Sequence, residues 1–365
     1  MTVARAAVVH EVPGVPRVVD VIIDEPGPHE VLVKTAATGV CHSDLHNVDG
    51  QSRVVGPPFI PGHEASGIAE SVGADVREIS AGDHVVSCVS SFCGWCRACL
   101  DGKPFRCQRR ITHSRSPGEP PRIREGGSAV SQVGGIGGFA ERMLVHERTL
   151  ACVPAAMPLD LAALLGCAVV TGFGAVVRSA RLTPGSTAVV VGCGGVGVHV
   201  IQAARFAGAR TVVAIDRDPS KLLMAAGFGA THTVLAGPGA AAQAQDITSG
   251  GADFAFEVVG SPATVEMALR ATAPGGSCTV VGLPPDGARL SFPASLLGDD
   301  RSLRTCRMGS NRFRLDIPLL ADLYLQQRLE LERAVTGRFR LDEVGTAFEE
   351  LRQGRAARSL VIFPA

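Results

Sequence analysis

The chain has 365 residues, and 35 Lys+Arg balance 35 Asp+Glu, so its formal net charge is zero. At roughly 150 residues per domain this length predicts two domains, and 46% apolar with 19% charged residues is a globular balance that excludes intrinsic disorder. Zero net charge removes any general attraction to nucleic acid or anionic membrane, so neither is expected as a partner.

No run of about 18 apolar residues announces a spanning helix. The N-terminal MTVARAAVVHEVPG lacks the apolar stretch and small-residue cleavage site of a signal peptide, so the expectation is a cytoplasmic protein. The 43 glycines follow no period, which excludes collagen and points to tight turns and backbone that approaches a ligand. Eleven cysteines, an odd number, read as metal ligands or catalytic groups in a reducing compartment rather than as disulfides.

In chain order, the first ~165 residues read as strands and turns. Val31–Thr35, Val85–Val89 and Met143–His146 are short apolar or β-branched runs, punctuated by Pro-Gly, Gly-Asp and Gly-Gly. Residues 114–138, polar and rich in Gly and Pro, read as a long surface loop. From about residue 169 the texture alternates. Strand Thr187–Val191 precedes helix Val196–Ala207, strand Thr211–Ile215 and a helix from Pro219 to about Gly227. Strand Asp253–Val259, helix Pro262–Ala271 and strand Cys278–Gly282 follow. Such alternation predicts a parallel sheet with helices on both faces, an α/β doubly wound fold. After about residue 308 come helices Pro318–Gln327 and Asp342–Arg352 and a final strand, Ser359–Phe363. No internal repeat or low-complexity tract interrupts the chain.

Gly192-Cys-Gly-Gly-Val-Gly197 fits GxGxxG. With so many glycines a chance match means little, but here a strand ends at Gly192 and a helix opens inside the motif. Gly192, Gly194, Gly195, Val196 and Gly197 would let backbone N–H groups approach a pyrophosphate at the positive end of that helix. Asp216, 19 residues after Gly197, stands where a carboxylate accepts from the adenosine ribose hydroxyls. A carboxylate repels a 2′-phosphate, which favours NAD over NADP, while the neighbouring Arg217 could accommodate that phosphate.

Cys93, Cys96, Cys99 and Cys107 have the spacing CxxCxxCx7C. Four thiolates from one short loop can close a tetrahedral zinc site that holds structure; an iron–sulfur cluster accepts the same donors and is the rival. A second group has to be assembled from distant residues: Cys41 and His42 in TGVCHSDLH, His63 and Glu64 in PGHEASG, and Cys167 in LLGCAVVTGFGA. Taken singly, such a His reads as a satisfied structural residue and Cys167 as a small core hydrophobe.

These motifs, in this order and spanning essentially the whole chain to the ending ARSLVIF, resemble the zinc-containing alcohol dehydrogenases of the medium-chain dehydrogenase/reductase superfamily, in their longer, dimeric branch. The resemblance implies a mostly-β GroES-like catalytic domain over 1–168 and 308–365, and a Rossmann NAD-binding domain over 169–307. It implies two zinc ions per chain. Cys41, His63 and Cys167 look like the catalytic ligands, Asp44 would orient His63, and Glu64 would be an outer or transient ligand.

The implied reaction is the reversible transfer of hydride between an alcohol and NAD, with zinc favouring loss of the hydroxyl proton. Ser43, a cofactor ribose hydroxyl and then His46 would pass that proton to solvent. His42, Lys221, Val281 and Arg358 would contact the cofactor. Val89, Phe92, Thr171 and Leu283 would line a pocket for a primary or aromatic alcohol, and the chain would form a homodimer.

Two departures bear on the thiol-conjugate formaldehyde dehydrogenases of the same fold. Ile111 stands where those relatives place an Arg, and His46 is retained, although Arg109 and Arg110 lie nearby. A zinc-free or non-catalytic relative would lack the cysteine loop and ligands. A nucleic-acid-binding zinc module draws support from Arg97, Lys103 and Arg106 but not from the neutral whole.

Overall fold

The structure, a computed structural model, describes residues 1–51, 55–109, 121–354 and 357–364. It comprises two compact units: Met1–Cys167 together with Arg312–Ala365, and Ala168–Asn311. The second unit runs four residues beyond the expected 307. A Cβ added at Gly309 would sit 2.4 Å from the Val170 carbonyl oxygen, so this turn is packed tightly within that unit.

The elements, in chain order, are β1 (Thr2–Val8), β2 (Arg17–Ile23), β3 (Glu30–Val40), α1 (His42–Val48), β4 (Ala65–Val72), β5 (His84–Ser87), β6 (Arg142–His146) and β7 (Leu150–Cys152). The long helix α2 (Leu159–Ala180) follows. Next come β8 (Thr187–Val191), α3 (Gly197–Phe206), β9 (Thr211–Asp216), α4 (Pro219–Gly227), β10 (His232–Leu235), α5 (Ala240–Ile247), β11 (Ala252–Glu257), α6 (Pro262–Arg270), β12 (Thr272–Val280) and β13 (Ser302–Thr305). The chain ends with α7 (Phe313–Leu325), β14 (Val335–Phe339), α8 (Val344–Arg352) and β15 (Arg358–Ile362).

Among the described residues, the first unit is built on a sheet in the order β7-β5-β4-β3-β15-β14, with β6 also pairing β3. The pairs are antiparallel except β14 with β15. Its core gathers Phe59, Phe139, Phe348, Leu341 and Val361 from residues far apart in the chain, the pattern of a mostly-β GroES-like domain. The second unit is a parallel sheet in the order β10-β9-β8-β11-β12-β13. Strand β8, with all five residues buried, is the continuous apolar run that a sheet covered on both faces requires. The order reverses between β8 and β11, the topological switch point of a Rossmann fold.

Several expectations need correction. Residues 121–138 are not a surface loop: Ile123–Glu125 pairs with β2, and Val130, Val133 and Ile136 are buried; residues 114–120 lie outside the described residues. Helix α7 starts at Phe313 with Pro318 inside it, and Asp316 accepts the Arg312 N–H at 2.7 Å near its start. Helix α2 is long and apolar enough to cross a membrane, although Asp160 and Arg178 break the unbroken apolar run sought in the sequence. Its most apolar stretch is 89% buried within the protein, which makes it a core helix. Strand β10 and helix α5, unassigned from sequence, complete the sheet and its cover.

Candidate metal centres and dinucleotide crevice

Cys93, Cys96, Cys99 and Cys107 sit in a loop with little regular structure beyond the single turn Arg97–Leu100. The sulfurs of Cys96 and Cys99 are 3.5 Å apart, those of Cys96 and Cys107 3.8 Å, and those of Cys93 and Cys99 3.9 Å. A zinc with four sulfurs at about 2.3 Å has tetrahedral edges of about 3.8 Å, so the donors fit one zinc ion. In an iron–sulfur cluster the cysteines ligate several irons, which would hold the sulfurs farther apart; the spacing excludes that rival. N–H donors from Cys99 in particular favour the thiolate, and the Cys96 thiol is lowered to about 6. Arg148 supports the loop from 55 residues away: its guanidinium donates to the Cys93 carbonyl and lies 5.5 Å from the centre of the Trp95 ring.

The second group is buried. Cys41 stands at the start of α1, His63 and Glu64 just before β4, and Cys167 in α2, and their ligand atoms all lie within 4.8 Å of one another. Cys167 lies in a π-helical segment, Leu165–Val169, an irregularity that changes where side chains point and often marks functional sites. The approach depends on glycine. A Cβ at Gly166 would be 2.2 Å from the Ser87 carbonyl oxygen, and the Ser87 hydroxyl bonds both the N–H and C=O of Ala65, next to Glu64. This seats Cys167 with its sulfur 3.3 Å from His63 Nε2. Asp44, fully buried, holds His63 Nδ1 at 2.9 Å and accepts the Gly62 N–H at 2.9 Å. The ring therefore turns Nε2 toward the sulfurs, as a metal ligand requires.

The remaining charges are unusual for an interior. Arg358 is only 4% exposed, with Nη1 3.3 Å from Glu64 Oε2 and donating to the Val40 carbonyl. Neither Glu64 oxygen has a hydrogen-bond donor among the described residues. Burial pushes the Glu64 carboxyl up to about 8 even against the pull of Arg358. Gly39 makes room for this side chain: a Cβ there would be 2.7 Å from Glu64 Cδ. The Cys41 thiol is held low, first by the hydrogen bond from Cys167, and the Cys167 thiol is correspondingly raised. For His63, burial opposes protonation, but Asp44 and the Cys41 sulfur outweigh it and raise the imidazole. Two sulfurs, one oriented imidazole and an unsatisfied carboxylate suit a divalent zinc.

The other expected residues fall as follows. On α1, His42 is exposed and Ser43 and His46 are partly buried, with Ser43 Oγ 3.9 Å from Cys41 Sγ. Val89 and Phe92 belong to the first unit, where Phe92 packs edge-on against Phe313 at 6.0 Å. Thr171, buried, and Leu283, 57% exposed, belong to the second. Arg109 is exposed; Arg110 and Ile111 lie outside the described residues.

In the second unit, Gly192 has φ +97, and a Cβ on Gly197 would be 1.9 Å from the Gly192 carbonyl oxygen. A Cβ on Gly194 would meet nothing within 4 Å, so the turn is tight at its two ends and open between them. Gly195 and Val196 complete it at the start of α3. Asp216 ends β9, and its carboxylate accepts the Cys193 N–H at 2.7 Å and the Asp218 N–H at 3.0 Å. Arg217 is exposed and Lys221 partly buried in α4. Val281, just past β12, donates its N–H to the Glu257 carbonyl at 2.7 Å. Nothing local marks the turn Met308–Ser310, where three successive residues have positive φ; such strain in non-glycine residues clusters at functional sites.

The alcohol dehydrogenase GroES-like domain family matches residues 27–155, and the zinc-binding dehydrogenase family matches residues 195–322. A Mycobacterium tuberculosis protein provisionally named alcohol dehydrogenase D is 36% identical over 351 residues, covering 93% of this chain and 94% of that protein. An alcohol dehydrogenase zinc-binding domain protein from Burkholderia ambifaria superposes with a TM-score of 0.93 at 32% identity, and benzyl alcohol dehydrogenase from Acinetobacter calcoaceticus with 0.91 at 31%; both matches cover 100% of each chain. With its fold, its two donor clusters and these relatives in agreement, the chain belongs to the zinc-type alcohol dehydrogenases of the medium-chain dehydrogenase/reductase superfamily, a family of oxidoreductases.

Proposed function

We propose that this chain is an NAD-dependent alcohol dehydrogenase with one catalytic and one structural zinc, acting reversibly on primary or aromatic alcohols and their aldehydes. The observation that carries the reading is the convergence of Cys41, His63 and Cys167 beside Glu64. Bound by these residues, zinc would supply the Lewis acidity that lets an alcohol lose its hydroxyl proton near neutral pH, and NAD would accept the hydride. Asp44 fixes the tautomer and direction of His63. Ser43 and His46 are three residues apart on α1 and so share one face of the helix; with His46 partly exposed, they suit passage of that proton outward.

The preference for NAD is supported by Asp216, whose carboxylate is fixed by two backbone donors at the strand end and would repel a 2′-phosphate. The substrate class is supported by the likeness to benzyl alcohol dehydrogenase and by the apolar Val89 and Phe92. Among the described residues, edge strand β13 and the exposed Leu290 and Leu297 support a homodimer. The absence of a disulfide among its eleven cysteines supports the cytoplasm as its compartment.

The test is the initial rate with benzyl alcohol and hexanol under NAD and NADP, alongside zinc analysis. The reading expects about two zinc ions per chain, faster turnover with NAD, and none in Cys41→Ser. Turnover retained in Cys41→Ser would overturn it.

A further inference from the structure

A buried carboxylate outside the metal centres stands at the C-terminal edge of the parallel sheet. Glu257 ends β11 directly opposite Val191, the last residue of β8, beside the point where the strand order reverses. It is 0% exposed. Its Oε1 accepts the Val259 N–H at 2.8 Å, the Gly260 N–H at 2.6 Å and the Thr264 hydroxyl at 2.8 Å. Its main-chain carbonyl accepts the N–H groups of Val281 at 2.7 Å and Gly282 at 3.0 Å. One residue thus ties together the turn 258–260, the start of α6 and the end of the next strand.

The parts it joins have no slack. A Cβ on Gly192, the first glycine of the phosphate turn, would be 2.6 Å from Val259 Cγ2, and one on Gly260 would be 2.6 Å from the Leu283 carbonyl oxygen. Glu257 Oε2 has no hydrogen-bond partner among the described residues. Leaving a buried acceptor unsatisfied is costly, so the three bonds to Oε1 are retained against a penalty.

The sheet order decides which part of a dinucleotide this cluster faces. With the pyrophosphate at Gly192–Gly197 and the adenosine ribose at Asp216 on β9, the other nucleotide half extends across the switch point over the ends of β11 and β12. We propose that Glu257 is a positioning residue for the nicotinamide half of the cofactor, holding the turn 258–260 and the segment 281–283 at a fixed separation. This assignment rests on the dinucleotide reading above.

Calorimetric titration of NADH and of ADP-ribose, which lacks the nicotinamide, tests it in the zinc-loaded protein. Glu257→Leu removes the acceptor and should weaken NADH by roughly tenfold or more while changing ADP-ribose by less than about threefold. Glu257→Gln keeps an acceptor and should stay within about threefold of wild type for both. Should Glu257→Leu fail to fold, Thr264→Val, which removes one of the three bonds, should shift NADH alone in the same direction. NADH affinity unchanged in the Leu and Val variants, or equal losses for both ligands, would overturn the assignment. A wild-type chain that binds neither ligand would overturn the dinucleotide reading itself and this assignment with it.

Discussion

Asp44 holds His63 by a 2.9 Å contact between Oδ2 and Nδ1, with both side chains at most 5% exposed. Asp44 Oδ1 is in turn anchored by the Gly62 N–H, so carboxylate, ring and backbone form one rigid unit. Such outer partners typically contribute 10–100-fold in metal affinity. Asp44→Asn is therefore expected to release one of two zinc ions about 10–100 times more readily to a competing chelator. The four-cysteine loop should keep its own. Equal retention at both sites would show that the contact does not orient a ligand.

The cysteine loop makes a different prediction. Phe105 is buried within it, but the chain from Cys93 to Cys107 has only single helical turns, so under the proposed function a bound metal would take the place of a core. Cys96→Ser should lower the melting temperature on the order of 10 °C, and added zinc should not restore it. A melting curve like that of wild type would remove the structural role.

Little of this was legible one residue at a time. The four cysteines and the glycine turn could be read because each is a local spacing with its own chemistry. The second candidate metal centre could not be derived from spacing: Cys167 is 104 residues from His63 and lies in a stretch that looks like core, and is core. What brings it into place is Gly166 against Ser87 and the Ser87 hydroxyl against Ala65, contacts between residues with no signature of their own. Resemblance to a family supplied that ligand set. Arg148 under the cysteine loop, Gly39 behind Glu64 and Glu257 at the sheet edge went unread for the same reason. Nothing around Arg358 in the sequence signals that it pairs with Glu64 in the interior.

His46 is tested by its effect on proton release. His46→Gln should lower kcat by roughly 10–100-fold near neutral pH. Partial recovery is expected at high pH, where hydroxide can take the proton directly. A flat rate–pH ratio between variant and wild type would take His46 out of the path.

The proposed preference for NAD rests on Asp216. Asp216→Ala removes the charge that opposes a 2′-phosphate and should move the kcat/KM ratio toward NADP by about 10–100-fold. It also frees the Cys193 N–H, which a phosphate oxygen could accept from. A ratio that does not move would place the discrimination elsewhere on the strand end.

The central claim is that three donors from distant parts of the chain close on a single metal ion. Anomalous diffraction at the zinc absorption edge from crystals of the zinc-loaded protein tests it most directly. The account predicts two peaks in each chain, one enclosed by Cys93, Cys96, Cys99 and Cys107 and one touching Cys41 Sγ, His63 Nε2 and Cys167 Sγ. A single peak, confined to the four-cysteine loop, would contradict it.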